Sequence, residues 1–333
     1  MATGLYDGMR VLVTGADGFI GSHLTEALVR QGARVRAFCL YNSFGSRGWL
    51  DEFRVESGQD VEFFMGDIRD GRLVERACEG VDVVFHLAAL IAIPYSYVAP
   101  ESFVDTNVKG TLNVLEGARK AKCRRLVQTS TSEVYGTPER LPIEETHPLQ
   151  GQSPYSASKI AADKLCEAYH CSFELPVVTL RPFNTYGPRQ SQRAVIPTIL
   201  AQLLVGRREI RLGNLEPKRD LTFVGDSVEG FLRAGVASGV DGEVIQLGTG
   251  RSESIGEVFQ AACRALGVDA KVVTDKDRYR PSKSEVMVLQ SEPAKAKRLL
   301  GWEATVSLEE GLGLTASWIR AHLDHYRPDL YAL

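Results

Sequence analysis

Gly15, Gly18 and Gly21 directly follow the run Arg10-Val-Leu-Val-Thr14, and they constrain the fold more than any other feature of the chain. A β-branched run that ends in such a turn and opens a helix reads as a strand–turn–helix unit. The glycines let the backbone approach a pyrophosphate, and the helix N-terminus then faces the anion. The plainer alternative is a tight turn with no ligand. Phe19 to Arg30 supplies the helix, with Leu24, Ala27 and Leu28 at helical spacing and Gly32 at its end.

The pattern then repeats. Arg34–Cys39, Val61–Met65, Val81–His86, Arg125–Thr129 and Val177–Leu180 read as strands. Arg72–Cys78, Ser102–Ala121 and Ser156–Tyr169 read as helices between them. Strands apolar nearly throughout are buried on both faces. This order predicts an α/β fold, a Rossmann-type doubly wound parallel sheet. Prolines and glycines crowd Pro182 to Pro188 and later elements are shorter. The expected division is a dinucleotide-binding domain over residues 1–181 and a smaller, mostly substrate-binding α/β region over 182–333, with about 220–250 returning to the sheet.

Composition excludes several classes. The chain has 333 residues and a formal charge of −3, with 44% hydrophobic and 24% charged residues. No Lys/Arg block dominates a segment, so no nucleic-acid partner is expected. Its six cysteines form no CxxC pair, so no metal site or disulfide framework is expected. Met1 to Arg10 has no long apolar run, and no stretch approaches eighteen apolar residues. The expectation is a cytoplasmic protein without a membrane partner.

Two further places suit a dinucleotide. Asp67-Ile68 follows the third strand, where an acid can accept from an adenine amine. A helix N-cap is the competing reading of Asp67. Leu87-Ala88-Ala89, after His86, are small enough for a cofactor to lie close. The acid expected at the end of the second strand is missing: Ala37-Phe-Cys-Leu-Tyr-Asn42 stands there. Arg36 and Arg47 are placed to meet a 2′-phosphate, so NAD and NADP both stay open.

The chemistry is carried by Tyr155-Ser-Ala-Ser-Lys159, four residues apart on one helix face. A tyrosine titrates near pH 10, and a neighbouring ammonium favours its phenolate. Tyr155 can then take a hydroxyl proton while hydride leaves for a nicotinamide. Thr129, Thr131, Ser132 and Glu133 follow the fifth strand, at the carboxyl edge where ligands bind. Glu133 there is either a carboxylate at the reacting centre or an exposed loop acid.

Across nearly its whole length the chain resembles the extended short-chain dehydrogenase/reductases, specifically the nucleotide-sugar epimerases, dehydratases and decarboxylases. The resemblance rests on Gly15–Gly21, Asp67-Ile68, His86–Ala89, Asn107–Thr111, Thr131–Gly136, Tyr155–Lys159, Arg181–Pro188, Arg219-Asp220 and Arg280-Pro281. It implies a nicotinamide cofactor, NAD first. That cofactor would be held by Gly15, Asp17, Gly18, Phe19, Ile20, Gly21, Arg47, Asp67, Ile68, Leu87, Ala88, Ala89, Asn107, Thr129, Tyr155 and Lys159. It implies a nucleotide-diphosphate sugar held by Ser132, Asn184, Arg193, Val195, Arg219 and Arg280, and catalysis by Thr131, Ser132, Glu133, Tyr155 and Lys159. It also implies a homodimer through a four-helix bundle built from Ser102–Ala121 and Ser156–Tyr169.

The Thr-Ser-Glu run resembles GDP-mannose 4,6-dehydratases, in which Glu133 would be the base at C5. Uronate decarboxylases carry the same run. Tyr41 to Leu50 and Arg181 to Ile196 resemble the 4,6-dehydratases of bacterial legionaminic acid pathways, which act on nucleotide-linked N-acetylglucosamine. A 4,6-dehydratase is therefore the leading expectation. A C4 epimerase or a decarboxylase is the alternative, and a non-catalytic NAD(P)-sensing module is the alternative of another class.

Overall fold

The computed structural model describes residues 4–54 and 60–330. Seven parallel strands form the main sheet: β1 (Arg10–Thr14), β2 (Arg34–Leu40), β3 (Asp60–Gly66), β4 (Val83–His86), β5 (Arg125–Thr129), β6 (Val177–Pro182) and β7 (Val244–Leu247). Their spatial order is 7-6-5-4-1-2-3. The direction of winding reverses between β1 and β4, and a ligand crevice opens at the carboxyl ends of such a pair. The expected Rossmann-type sheet is what the chain forms. The fourth strand begins at Val83 instead of Val81, and the Asp82 carboxylate accepts from the Arg10 amide at 2.9 Å.

Alternate strand residues enter two cores. Val11, Val13, Val35, Ala37, Val83, Phe85, Val127 and Val178 pack with helices α1 (Phe19–Arg30) and α6 (Val224–Val236). Leu12, Phe38, Val84, Leu126 and Val177 pack on the other face with α2 (Gly71–Cys78), α3 (Gly110–Ala121) and α4 (Pro154–Phe173). A third core lies beyond the sheet, where α5 (Val195–Leu204), α7 (Ile255–Leu266) and α8 (Leu308–Ala321) bury Ile199, Phe259 and Leu312.

The helix expected over Ser102–Ala121 is not uniform. Pro100–Phe103 is α-helical, Val104–Lys109 is π-helical, and only then does α3 begin. The cause is Asn107, which is 1% exposed. Its side chain accepts from the Leu90 amide and donates to the Leu90 carbonyl, both at 2.8 Å, and donates to Ser158 Oγ at 2.9 Å. The wider turn aims that amide inward, as π-turns near functional sites do.

Candidate active site

The glycine turn is shaped by close backbone approaches. Gly15 has φ of 69°, and a side chain there would bring a carbon within 2.8 Å of Ala88. At Gly21 it would lie 2.0 Å from the Gly15 carbonyl oxygen. The loops after β1 and β4 thus touch across the switch point. Helix α1 opens on Gly18 with no side-chain cap among the described residues, so its first-turn amides face the crevice. Glycines without room for a side chain and an uncapped helix start fit a dinucleotide pyrophosphate. Phe19 and Ile20 line the same turn, Phe19 edge-on to His23.

His86 closes the floor of this crevice. It is 2% exposed and set between Thr14 and Thr111. Thr14 Oγ accepts from the Ala88 amide, and Thr111 Oγ donates to the Asn107 carbonyl at 2.6 Å. The Thr14 hydroxyl therefore donates to Nδ1, and Nε2 carries the proton that Thr111 accepts. Burial, with Lys159 nearby, lowers the His86 pKa to about 3.

The structure places the other cofactor candidates as follows. The N-cap of α2 is Asp70, not Asp67: Asp70 accepts from the Arg72 and Leu73 amides. Asp67 is instead held by Arg69, whose side chain and amide donate to it and keep its carboxyl below the usual range. Arg36 is turned from the crevice, donating to Glu62 at 2.7 Å and to the Ala77 carbonyl at 2.8 Å. Arg47 stacks over the Phe63 ring at 4.3 Å and pairs with Asp51 at 3.2 Å. Asn107 uses both amide protons on protein groups, so it positions the Leu90 loop against α4. Ile68 is buried, and its carbonyl accepts from Asn113 at 2.8 Å. Leu87, Ala88 and Ala89 are half-buried.

The loop over this end is anchored from the far side of the molecule. The Trp49 amide donates to the Asp17 carbonyl at 3.2 Å. Its ring lies 5.9 Å from Trp318 of α8 and 5.1 Å from His325.

At the other end of the crevice, Thr131 caps a 3-10 turn over Ser132–Tyr135 through the Glu133 amide. The Tyr155 phenol hydrogen-bonds the Thr131 side chain, with Glu133 beside it. Ser132 is buried and Glu133 half-buried. Ser153 opens α4 with a capping box, and that rigid start carries Tyr155 and Lys159 inward. Lys159 Nζ donates to the Thr129 carbonyl at 2.6 Å. Burial pushes the Tyr155 phenol up, against the Thr131 bond, and pushes the Lys159 ammonium down. The expected lowering of Tyr155 by Lys159 is absent: Lys159 is not among the groups that act on the phenol, and desolvation is the largest effect there.

Behind this pair lies a buried network that sequence reasoning missed. Asp163, one turn after Lys159, pairs with Arg181 at 3.0 Å and accepts from Ser130 at 2.7 Å. Arg181 also donates to the Tyr135 hydroxyl at 3.0 Å. Glu285 was missed as well. It pairs with Arg219 at 3.2 Å and lies 3.7 Å from Arg280, drawing both guanidinium groups together. Arg219 is buried and feels the Glu133 charge. Asn184 Oδ1 is buried with no partner among the described residues, as a ligand-binding atom would be. Arg193 is exposed and donates to Ser191 Oγ, and Val195 begins α5.

A family model described as GDP-mannose 4,6 dehydratase matches residues 12–315. The chain belongs to the GDP-mannose 4,6-dehydratase family. Relatives of the chain differ in reaction. A UDP-glucose 4-epimerase of Mycolicibacterium smegmatis is 34% identical over 94% of this chain and 99% of its own. A dTDP-glucose 4,6-dehydratase of Xanthomonas campestris is 34% identical over 92% of each chain. The solved structure of DesIV, a dTDP-glucose 4,6-dehydratase of Streptomyces venezuelae with NAD and TYD bound, superposes with a TM-score of 0.84. It is 31% identical and covers 96% of this chain and 99% of that one. The GDP-mannose 4,6-dehydratase family thus spans dehydratases and epimerases on one scaffold. No described helix is long and apolar enough to cross a membrane.

Proposed function

We propose that the chain is an NAD-dependent 4,6-dehydratase acting on a nucleotide-activated hexose, with a nucleotide-linked N-acetylglucosamine the first substrate to try. The observation that carries this reading is Glu133, half-buried in the turn that Thr131 caps after β5, with its charge acting on both Tyr155 and Arg219. A 4-epimerase has no need of a base at that place. Gly15, Gly18 and Gly21 would hold NAD, which would supply the acceptor for the C4 hydride and the donor at C6.

Tyr155 takes the O4 proton, and Thr131 steers that oxygen through the hydroxyl it shares with the phenol. The 4-ketone acidifies C5–H, and Glu133 removes that proton. Ser132 is a neutral hydroxyl and a poor acid, so the protonated Glu133 is the donor to the departing O6 hydroxyl, and the proton that C5 takes up when hydride adds at C6 comes from solvent. Lys159 holds the end of β5. Arg219 and Arg280 grip the diphosphate, because guanidinium groups match its oxygens. Asn184, Arg193 and Val195 flank the sugar nucleotide. A second copy docks on α3 and α4, where Leu112 is 37% exposed and Phe173 52%.

The test is mass spectrometry of products from a panel of nucleotide hexoses incubated with NAD. Loss of one water from one substrate supports dehydration and names the nucleotide. An unchanged mass with altered stereochemistry turns the reading to C4 epimerisation, and loss of carbon dioxide from a uronate turns it to decarboxylation.

A further inference from the structure

In a Rossmann-type sheet the adenosine ribose lies at the carboxyl end of β2, and an acid ending that strand normally accepts from its diol. Here β2 ends Phe38-Cys39-Leu40 and no acid follows through Asn42. A carboxylate nevertheless stands there, reaching across from the glycine turn. The Leu40 amide donates to Asp17 Oδ2 at 3.3 Å. Asp17 is fixed from above as well. Trp49 donates to its carbonyl, and Gly48, with φ of 58°, lies so close that a side chain would meet that oxygen at 2.4 Å. The half-buried carboxyl is pushed upward by desolvation, as an acceptor short of solvent would be.

The cations at this edge are already matched. Arg36 pairs with Glu62, Arg47 with Asp51, and Arg69 with Asp67. A 2′-phosphate would meet the Asp17 charge, with each of these guanidinium groups held by a carboxylate.

We infer that Asp17 takes the place of the missing strand-end acid. It accepts from the ribose hydroxyls, excludes a 2′-phosphate, and so selects NAD over NADP. The inference rests on the cofactor reading above and adds the residue that decides between the two nucleotides.

The test is calorimetric titration of the full chain, cleared of carried-over nucleotide, with NAD and with NADP. The wild type should favour NAD by roughly a hundredfold, the scale of a charge-assisted hydrogen bond gained plus a charge clash avoided. Asp17→Asn should weaken NAD by about tenfold and narrow the preference to about tenfold or less. Asp17→Glu should keep NADP weak, because the charge remains, and it guards against an Asn variant that fails to fold. An Asp17→Asn protein that melts like the wild type yet keeps the wild-type ratio overturns the assignment. So does a loss of NADP binding in Arg47→Ala with Asp17→Asn unaffected. A wild type that binds neither nucleotide overturns the cofactor reading itself.

Discussion

Lys159 Nζ reaches the Thr129 carbonyl oxygen at 2.6 Å, so its charge caps the end of β5. The Tyr155 phenol is bonded to Thr131 instead, and burial holds its proton on. The two residues that share a helix face therefore act at different atoms. Lys159 sets the strand end that carries Thr131, and Thr131 meets the phenol.

Tyr155→Phe should slow the first oxidation at C4 by about 10²–10⁴-fold, the usual worth of a positioned acid–base group, with sugar-nucleotide affinity little changed. Rapid-mixing absorbance of the reduced nicotinamide reads this step. Turnover equal to wild type would remove Tyr155 from the chemistry.

Glu133→Gln should leave that oxidation intact and halt water loss, so reduced cofactor accumulates with the 4-keto sugar. The loss in dehydrated product should be about 10²–10⁴-fold. Product mass measured beside the absorbance separates the two steps, and ordinary dehydration by this variant would end the case for Glu133 as the base.

Asp163→Asn should cost about 3–5 kcal/mol of stability, because it leaves the Arg181 guanidinium buried without its counter-charge. Both side chains are 4% exposed, so solvent does little to screen the loss. Urea unfolding gives the number; a change under about 1 kcal/mol would place the pair in the energetic class of surface ion pairs.

His86 gives the fold a pH dependence. Its pKa is lowered to about 3 in the folded protein, against about 6.5 unfolded. As pH falls below about 6.5 the unfolded chain takes up a proton that the folded one refuses, so stability drops, by about 1.4 kcal/mol per pH unit down to about pH 3. Between pH 7 and pH 5 the wild type should therefore lose about 2 kcal/mol more than His86→Asn. Equal losses in denaturant midpoints at the two pH values would mean that His86 is not held neutral.

Much of the fold was legible because its signals are local. Arg10–Thr14, Phe19–Arg30 and Arg125–Thr129 begin and end where run, periodicity and glycine place them. The unread parts depend on partners far along the chain. Asp163 looks like any polar helix residue until Arg181 arrives from the next strand. Glu285 looks like a loop acid until Arg219 and Arg280 flank it. Asp67 and Asp70 both suit a cap, and only the backbone decides for Asp70. Arg36 pointed to a phosphate by its position in β2, but the strand's alternation turns it toward Glu62 and the end of α2. The Tyr155 environment was read by its charge alone, when burial is the larger effect.

The π-turn at Val104–Lys109 has a further consequence, in the arithmetic of insertions and deletions. Such a turn holds one residue more than an α-helix needs. Deleting one residue there would restore a plain α-helix with Pro100–Phe103 nearly in register with α3, because the wide turn absorbs the extra residue, and it would remove the bulge that turns Asn107 inward. Asn107 could not then reach both Leu90 and Ser158. The segment's length is held to a frame of single residues, even where its exposed side chains are free to vary.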